Sequence, residues 1–168
     1  MKKDLSIIFG LFLLIVALLI FGKGFTTASL VGPAVDRTAN ISQKGKVPLS
    51  VKTLSIDAVV AKTPAERKKG LSKKETLPLN TGLLFVFEKS GRFGFWMKDM
   101  KFAIDIIWID DNKKIAEITK NIPPEPQKRE NDLTIYRPSN DVMYVLEVNA
   151  GLSDFNNLEV GDTVNFNL

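Results

Sequence analysis

The stretch Ile104-Asp105-Ile106-Ile107-Trp108-Ile109, then Asp110-Asp111-Asn112-Lys113, then Lys114-Ile115-Ala116-Glu117-Ile118-Thr119 decides the fold class. An apolar run rich in isoleucine meets four polar turn-formers, and a second β-rich run follows. Nothing in it repeats at a helical period. This is the pattern of two strands joined by a hairpin turn.

Similar runs recur on both sides. Upstream, Leu54, Ile56, Ala58 and Val60 share one parity, whereas Leu49 and Val51 have the other. The change of parity requires a turn or bulge near Lys52-Thr53. Leu83–Phe87 and Phe93–Met97 read as short strands, as do Met143–Val148 and Thr163–Phe166 downstream. Gly161-Asp162 supplies the turn before the last of these.

One helix is signalled over Thr63 to Leu71. Thr63 is its N-cap, Pro64 takes the first helical position, Glu66 completes a capping box and Gly70 offers a left-handed stop. A second helical turn is expected from Ser153. The fold class is therefore mainly β, a β-sandwich or partly closed barrel with one or two short helices. Asn121–Asn140 interrupts the pattern with Pro123, Pro124, Pro126 and Pro138. It reads either as a ligand-covering lid or as a plain surface excursion.

The N-terminal end differs in kind. Leu5–Phe21 is apolar except for Ser6 and Gly10, with Lys2 and Lys3 before it and Lys23 after it. As a helix it would span about 25 Å, the short end of the transmembrane range. Lys2 and Lys3 favour a cytoplasmic N-terminus and place the remainder outside. Residues 1–23 are thus expected to be a transmembrane or signal helix. A cleaved signal peptide and an uncleaved signal-anchor both fit, and the length of the run favours the anchor. Residues 24–46, rich in Gly, Ser, Thr, Ala and Lys, read as a flexible linker, and residues 47–168 as the folded domain. The expected location is a single-pass membrane protein with an extracytoplasmic C-terminal domain, or a secreted one if the signal is cleaved.

Composition removes several function classes. The 168 residues contain no Cys and no His. Disulfides, Cys nucleophiles, Ser-His-Asp triads and His/Cys zinc or haem sites are excluded, and no cofactor or metal is expected. Half of the formal net charge of +4 belongs to residues 1–24. The remainder is too weakly basic, and lacks the basic stripe with interleaved aromatics, for a nucleic-acid binder.

Seven motifs follow one another: Thr63-Pro64-Ala65-Glu66-Arg67, Gly70-Leu71, Gly82-Leu83-Leu84-Phe85-Val86-Phe87, Phe95-Trp96-Met97-Lys98-Asp99-Met100, Ile104–Asp110, Tyr144–Gly151 and Gly161-Asp162. In this order and spacing they resemble the DUF192 family, a domain of unknown function, and the match runs from about Leu54 to Phe166. The Phe-Trp-Met-Lys segment is the most specific. The resemblance implies a small, mainly β, often exported domain, and no particular activity. The chain departs from the family pattern where Asp99-Met100 replaces Asn-Thr and where Ala103-Ile104 replaces a Pro-Leu step.

Asp105 and Glu147 each lie inside an apolar strand, which is costly unless the carboxylate is paired. Arg67 and Lys98 are the candidate cations. Two readings stand side by side: buried ion pairs that fix strand register, or a pocket in which Arg67, Lys98, Asp105 and Glu147 converge beside Trp96. Phe93, Phe95, Trp96 and Trp108 are either core or an aromatic recognition surface. The cluster Arg67, Lys68, Lys69, Lys73 and Lys74 is either a solvated face or a contact for anionic lipid or wall polymer.

The leading functional expectation is a membrane-tethered binding module for an anionic or carbohydrate envelope ligand, with Leu5–Phe21 in the membrane. The alternatives are a hydrolase of an envelope glycan using Asp105 and Glu147 as acid and base, and a structural or interaction scaffold.

Overall fold

The computed structural model describes residues 45–168. The apolar run Leu5–Phe21 and nearly all of the expected linker lie outside the described residues. Among the described residues, no helix is long and apolar enough to cross a membrane.

The domain is mainly β, with two short helices. Strands β1 (Lys46–Val51) and β2 (Leu54–Ala61) form a hairpin in which Val51 pairs with Leu54. The turn falls at Lys52-Thr53, with Lys52 at a positive φ of 48°, as the change of parity requires. Lys46, assigned to the linker by its composition, is already in β1 because it pairs with Val59.

Helix α1 (Pro64–Lys69) follows, with the expected capping box: Thr63 Oγ1 accepts from the Glu66 amide, and Glu66 accepts from the Thr63 amide at 2.9 Å. The next strand, β3 (Thr81–Gly91), lies parallel to β2, the one parallel pairing in the sheet. A parallel pair needs a crossover, and residues 62–80, including α1, supply it.

The rest of the sheet is antiparallel. Strands β4 (Ile104–Ile109), β5 (Ile115–Ile122) and β6 (Val142–Asn149) lead to helix α2 (Leu152–Phe155) and a terminal β7 (Asn165–Phe166). The sheet order is β5-β4-β6-β3-β2-β1-β7. Its two ends are tied by the last residues of the chain. Residues 165–166 pair with β1, while the Ile115 amide donates to Asp162 and the Val164 amide to Lys113. Of the two architectures expected, the observed one is a half-barrel.

The pleat divides the core in two. Leu49, Ile56, Leu84, Ile107, Leu146 and Val148 face the inside of the curl with Val164 and Phe166. Leu83, Phe85, Ile106, Trp108 and Val145 face the outside, where Leu71 of the crossover and Met97 and Met100 cover them. Strand β4 is buried along its whole length because both of its faces are covered. Gly82 allows the close approach of β3 and β6: a Cβ there would lie 2.9 Å from the Glu147 carbonyl oxygen.

One expected strand is absent. Phe93–Met97 makes a single bridge, Phe95 with Tyr136, and no ladder with the sheet. Gly91 ends β3, and the chain then crosses the outer face, its rings packing downward instead of continuing the sheet.

Candidate functional site

Asp105 and Glu147 occupy neighbouring strands, yet the register separates them. Asp105 pairs with Val148, and Ile106 pairs with Glu147. Side chains alternate along a strand, so Asp105 points inward with Ile107 and Ile109, and Glu147 outward with Val145. A two-carboxylate hydrolytic site from this pair has no geometric basis.

Asp105 is fully buried and well satisfied. Its Oδ1 accepts from the Asn121 amide at 2.8 Å, and its Oδ2 from the Ser153 amide at 3.0 Å and from the Ser153 hydroxyl. It thus ties the end of β5 to the first turn of α2. The expected cation is replaced by N–H and O–H donors, which stabilise a carboxylate without a counter-ion. Asp105 is structural.

Glu147 is the opposite case. It is 6% exposed, and its Oε2 is buried without a hydrogen-bond partner. Its strand neighbours are Leu83 on one side and Ile106 on the other. No salt bridge among the described residues involves it. Burial alone pushes its carboxyl up to about 8, so at neutral pH it is chiefly a neutral acid.

Above it opens a cavity of about 330 Å³. Phe85 and Phe87 of β3, Phe93, Phe95 and Trp96 of the crossing segment, and Met100 contribute its apolar lining, while Arg67, Lys68 and Lys69 of α1 stand at its edge. The rings brace one another: Phe87 stacks on Phe93 at 3.5 Å, and Phe95 meets Phe85 and Trp108 edge-on at 4.8 and 5.4 Å. Arg67 lies 5.0 Å over Phe87 and donates to the Val86 carbonyl at 3.2 Å and to the Lys62 carbonyl. Its charge is therefore fixed at the cavity rather than spent on Glu147.

The other expected site residues go elsewhere. Lys98 forms an ion pair with Glu130 and does not line the cavity, and Glu130 holds its ammonium above the usual lysine range. Trp108 is fully buried, its Nε1 donating to Thr119 Oγ1 at 2.8 Å, and it is core. Trp96 is 43% exposed and lines the cavity. Arg67, Trp96 and Glu147 are thus brought together, and Lys98 and Asp105 are not. Phe85 and Phe87 join the site although their run reads as plain core. Their shared parity with Leu83 is visible in the sequence, but the pairing of Leu83 with Glu147 is not.

The Pro-rich segment 121–140 does not line this cavity. It is pinned by two Phe95–Tyr136 backbone hydrogen bonds of 2.9 and 2.8 Å and by Glu125, which accepts from the Thr134 amide and hydroxyl and from Lys128. Those donors, Lys128 first, hold Glu125 down to about 2. In this structure the segment is a braced excursion, not a lid. No group of three or more potential metal ligands occurs among the described residues.

Comparison with known proteins bears on the family and the fold. The sequence profile of DUF192, a family described as "Uncharacterized ACR", matches residues 47–166. The structure is similar to that of a protein of unknown function from Novosphingobium aromaticivorans DSM 12444, at 27% identity and a TM-score of 0.65, covering 71% of this chain and 84% of that one. It is also similar to a protein from Sinorhizobium meliloti 1021 described as a candidate transcription regulator, at 25% identity and a TM-score of 0.65, covering 72% of this chain and 93% of that one. No curated protein matches the sequence.

Proposed function

We propose that this chain, which belongs to the DUF192 family, is a membrane-tethered extracytoplasmic binding domain whose ligand enters the aromatic cavity over Glu147. One observation carries the reading. A carboxyl group is buried at the base of a cavity with an oxygen that no protein group satisfies. Such a group costs folding stability, and a bound ligand is the partner that would offset the cost.

The tether rests on Leu5–Phe21 and the lysines around it. Alkaline carbonate extraction tests it: retention in the membrane pellet is expected, and release of a chain beginning near residue 29 would refute the anchor. A transcription-regulating role, the description given to the Sinorhizobium protein, gains no support from the charge pattern, since the weakly basic domain lacks a basic stripe with interleaved aromatics.

Chemical denaturation of Glu147→Gln tests the cavity reading. A carboxyl kept for a ligand should leave the variant as stable as the parent at neutral pH, or more so. A loss of about 3 kcal/mol or more, the cost of breaking a buried structural interaction, would make Glu147 part of the scaffold.

A further inference from the structure

The charge layout of the cavity narrows the ligand. Glu147 is at the base, aromatic rings stand around it, and the cations Arg67, Lys68 and Lys69 are at the edge. These are the charged groups that line the cavity, and the residues that flank Glu147 in the sheet, Leu83 and Ile106, are apolar. A purely anionic ligand would satisfy the edge and leave the Glu147 oxygen unpartnered. A purely cationic ligand would satisfy Glu147 but would have to lie among three positive charges. Arg67 cannot relieve either mismatch, because Phe87 and two backbone carbonyls hold it.

Building on the binding reading above, we propose that the cavity takes a small zwitterion, its ammonium end deep against Glu147 among the aromatic rings and its phosphate or carboxylate end at Arg67, Lys68 and Lys69. Aromatic faces attract an ammonium group most strongly where water is excluded. A cavity of about 330 Å³ suits a ligand of this size. Binding carries a proton balance. Glu147 is largely protonated at neutral pH, so pairing with a cation requires it to ionise, and its proton passes to the buffer. Affinity should therefore rise with pH up to about 8 and level off above it.

The test uses the full chain in a nonionic detergent, with Trp96 emission and titration calorimetry as readouts. Phosphoethanolamine is the probe, because its primary ammonium can donate to the Glu147 oxygen, with ethylammonium and methyl phosphate as its two halves. The expected result is that phosphoethanolamine binds at least about tenfold more tightly than either half. Calorimetry in buffers of different ionisation enthalpy should show close to one proton released at neutral pH. Glu147→Gln should abolish that release and weaken phosphoethanolamine by about tenfold or more. Joint replacement of Lys68 and Lys69 by Ala should weaken phosphoethanolamine but not ethylammonium.

Binding of methyl phosphate as tight as that of phosphoethanolamine, without proton release, would overturn the zwitterion and leave the binding reading standing. Failure of every probe at millimolar concentration would also overturn the zwitterion. The denaturation of Glu147→Gln then decides separately whether the binding reading falls too. If phosphoethanolamine binds, vesicles containing phosphatidylethanolamine compared with phosphatidylglycerol distinguish the source. A Trp96 response to the former alone indicates a lipid headgroup, and no response to either indicates a free solute.

Discussion

The inner and outer faces of one sheet treat a buried carboxyl group in opposite ways. On the inner face Asp105 has three donors, taken from the end of β5 and the start of α2. On the outer face Glu147, one register position away on the next strand, has an oxygen with none. The first arrangement closes the end of the half-barrel. The second leaves an unsatisfied polar group under a cavity, where it weakens the fold. The difference shows that burial alone does not identify a structural residue: what counts is whether the surrounding protein completes the group's hydrogen bonds.

Several measurements would break or sharpen this contrast. The largest effect should come from Trp108, where the outer face is packed as tightly as a core. Trp108→Ala should cost about 4 kcal/mol in urea denaturation through the cavity it leaves. A loss under about 1 kcal/mol would mean that the outer face is loosely packed throughout, and Glu147 would no longer be a local exception.

Asp105→Asn should cost about 3 kcal/mol, because an amide N–H₂ turned toward the Ser153 or Asn121 donors leaves them unmatched. A near-neutral result would remove the structural half of the comparison.

Glu147→Gln should act in the other direction, and its signature is a pH profile. The folded carboxyl sits near 8, and the ordinary value for Glu is 4.5. Between these values the folded state holds the proton and the unfolded state does not. Parent stability should therefore fall by about 1.4 kcal/mol per unit as pH rises through that window, and flatten above it. Glu147→Gln should lose this slope and exceed the parent by about 3 kcal/mol at pH 7. Carboxylates held low, such as Glu125 and Glu130, act below that window and do not mask the slope. An unchanged slope would show that Glu147 is solvated or paired in solution.

The smallest effects should lie at the surface. Thr63→Ala removes the cap of α1 and should cost about 1 kcal/mol. Trp96→Ala should stay within about 0.5 kcal/mol, in contrast to Trp108→Ala, since Trp96 lines the cavity without filling the core. A large loss at Trp96 would turn the cavity wall into a structural wall.

The two tryptophans also show where sequence reading stops. Trp96 lies in an aromatic-rich stretch and Trp108 in an isoleucine-rich one, and parity cannot say which one meets solvent. That depended on Phe93–Trp96 crossing the outer face instead of pairing with the sheet, a consequence of Gly91 and of the bridge from Phe95 to Tyr136. Lys98 was equally opaque. Its partner, Glu130, lies in the Pro-rich excursion, and nothing local announces an ion pair across that separation.

The sequence by itself determined the strands at Ile104–Ile109 and near Met143–Val148, the turn at Lys52-Thr53, the capped helix after Thr63 and the absence of Cys and His chemistry. These are short-range matters of side-chain period, turn stereochemistry and composition. It also marked Asp105 and Glu147 as costly. Only the tertiary structure decided that one is satisfied and the other is not. That outcome depends on strand register and on which loop arrives overhead, and both are set by long-range pairing. A shift of one residue between β4 and β6 would have put both carboxyl groups on the same face.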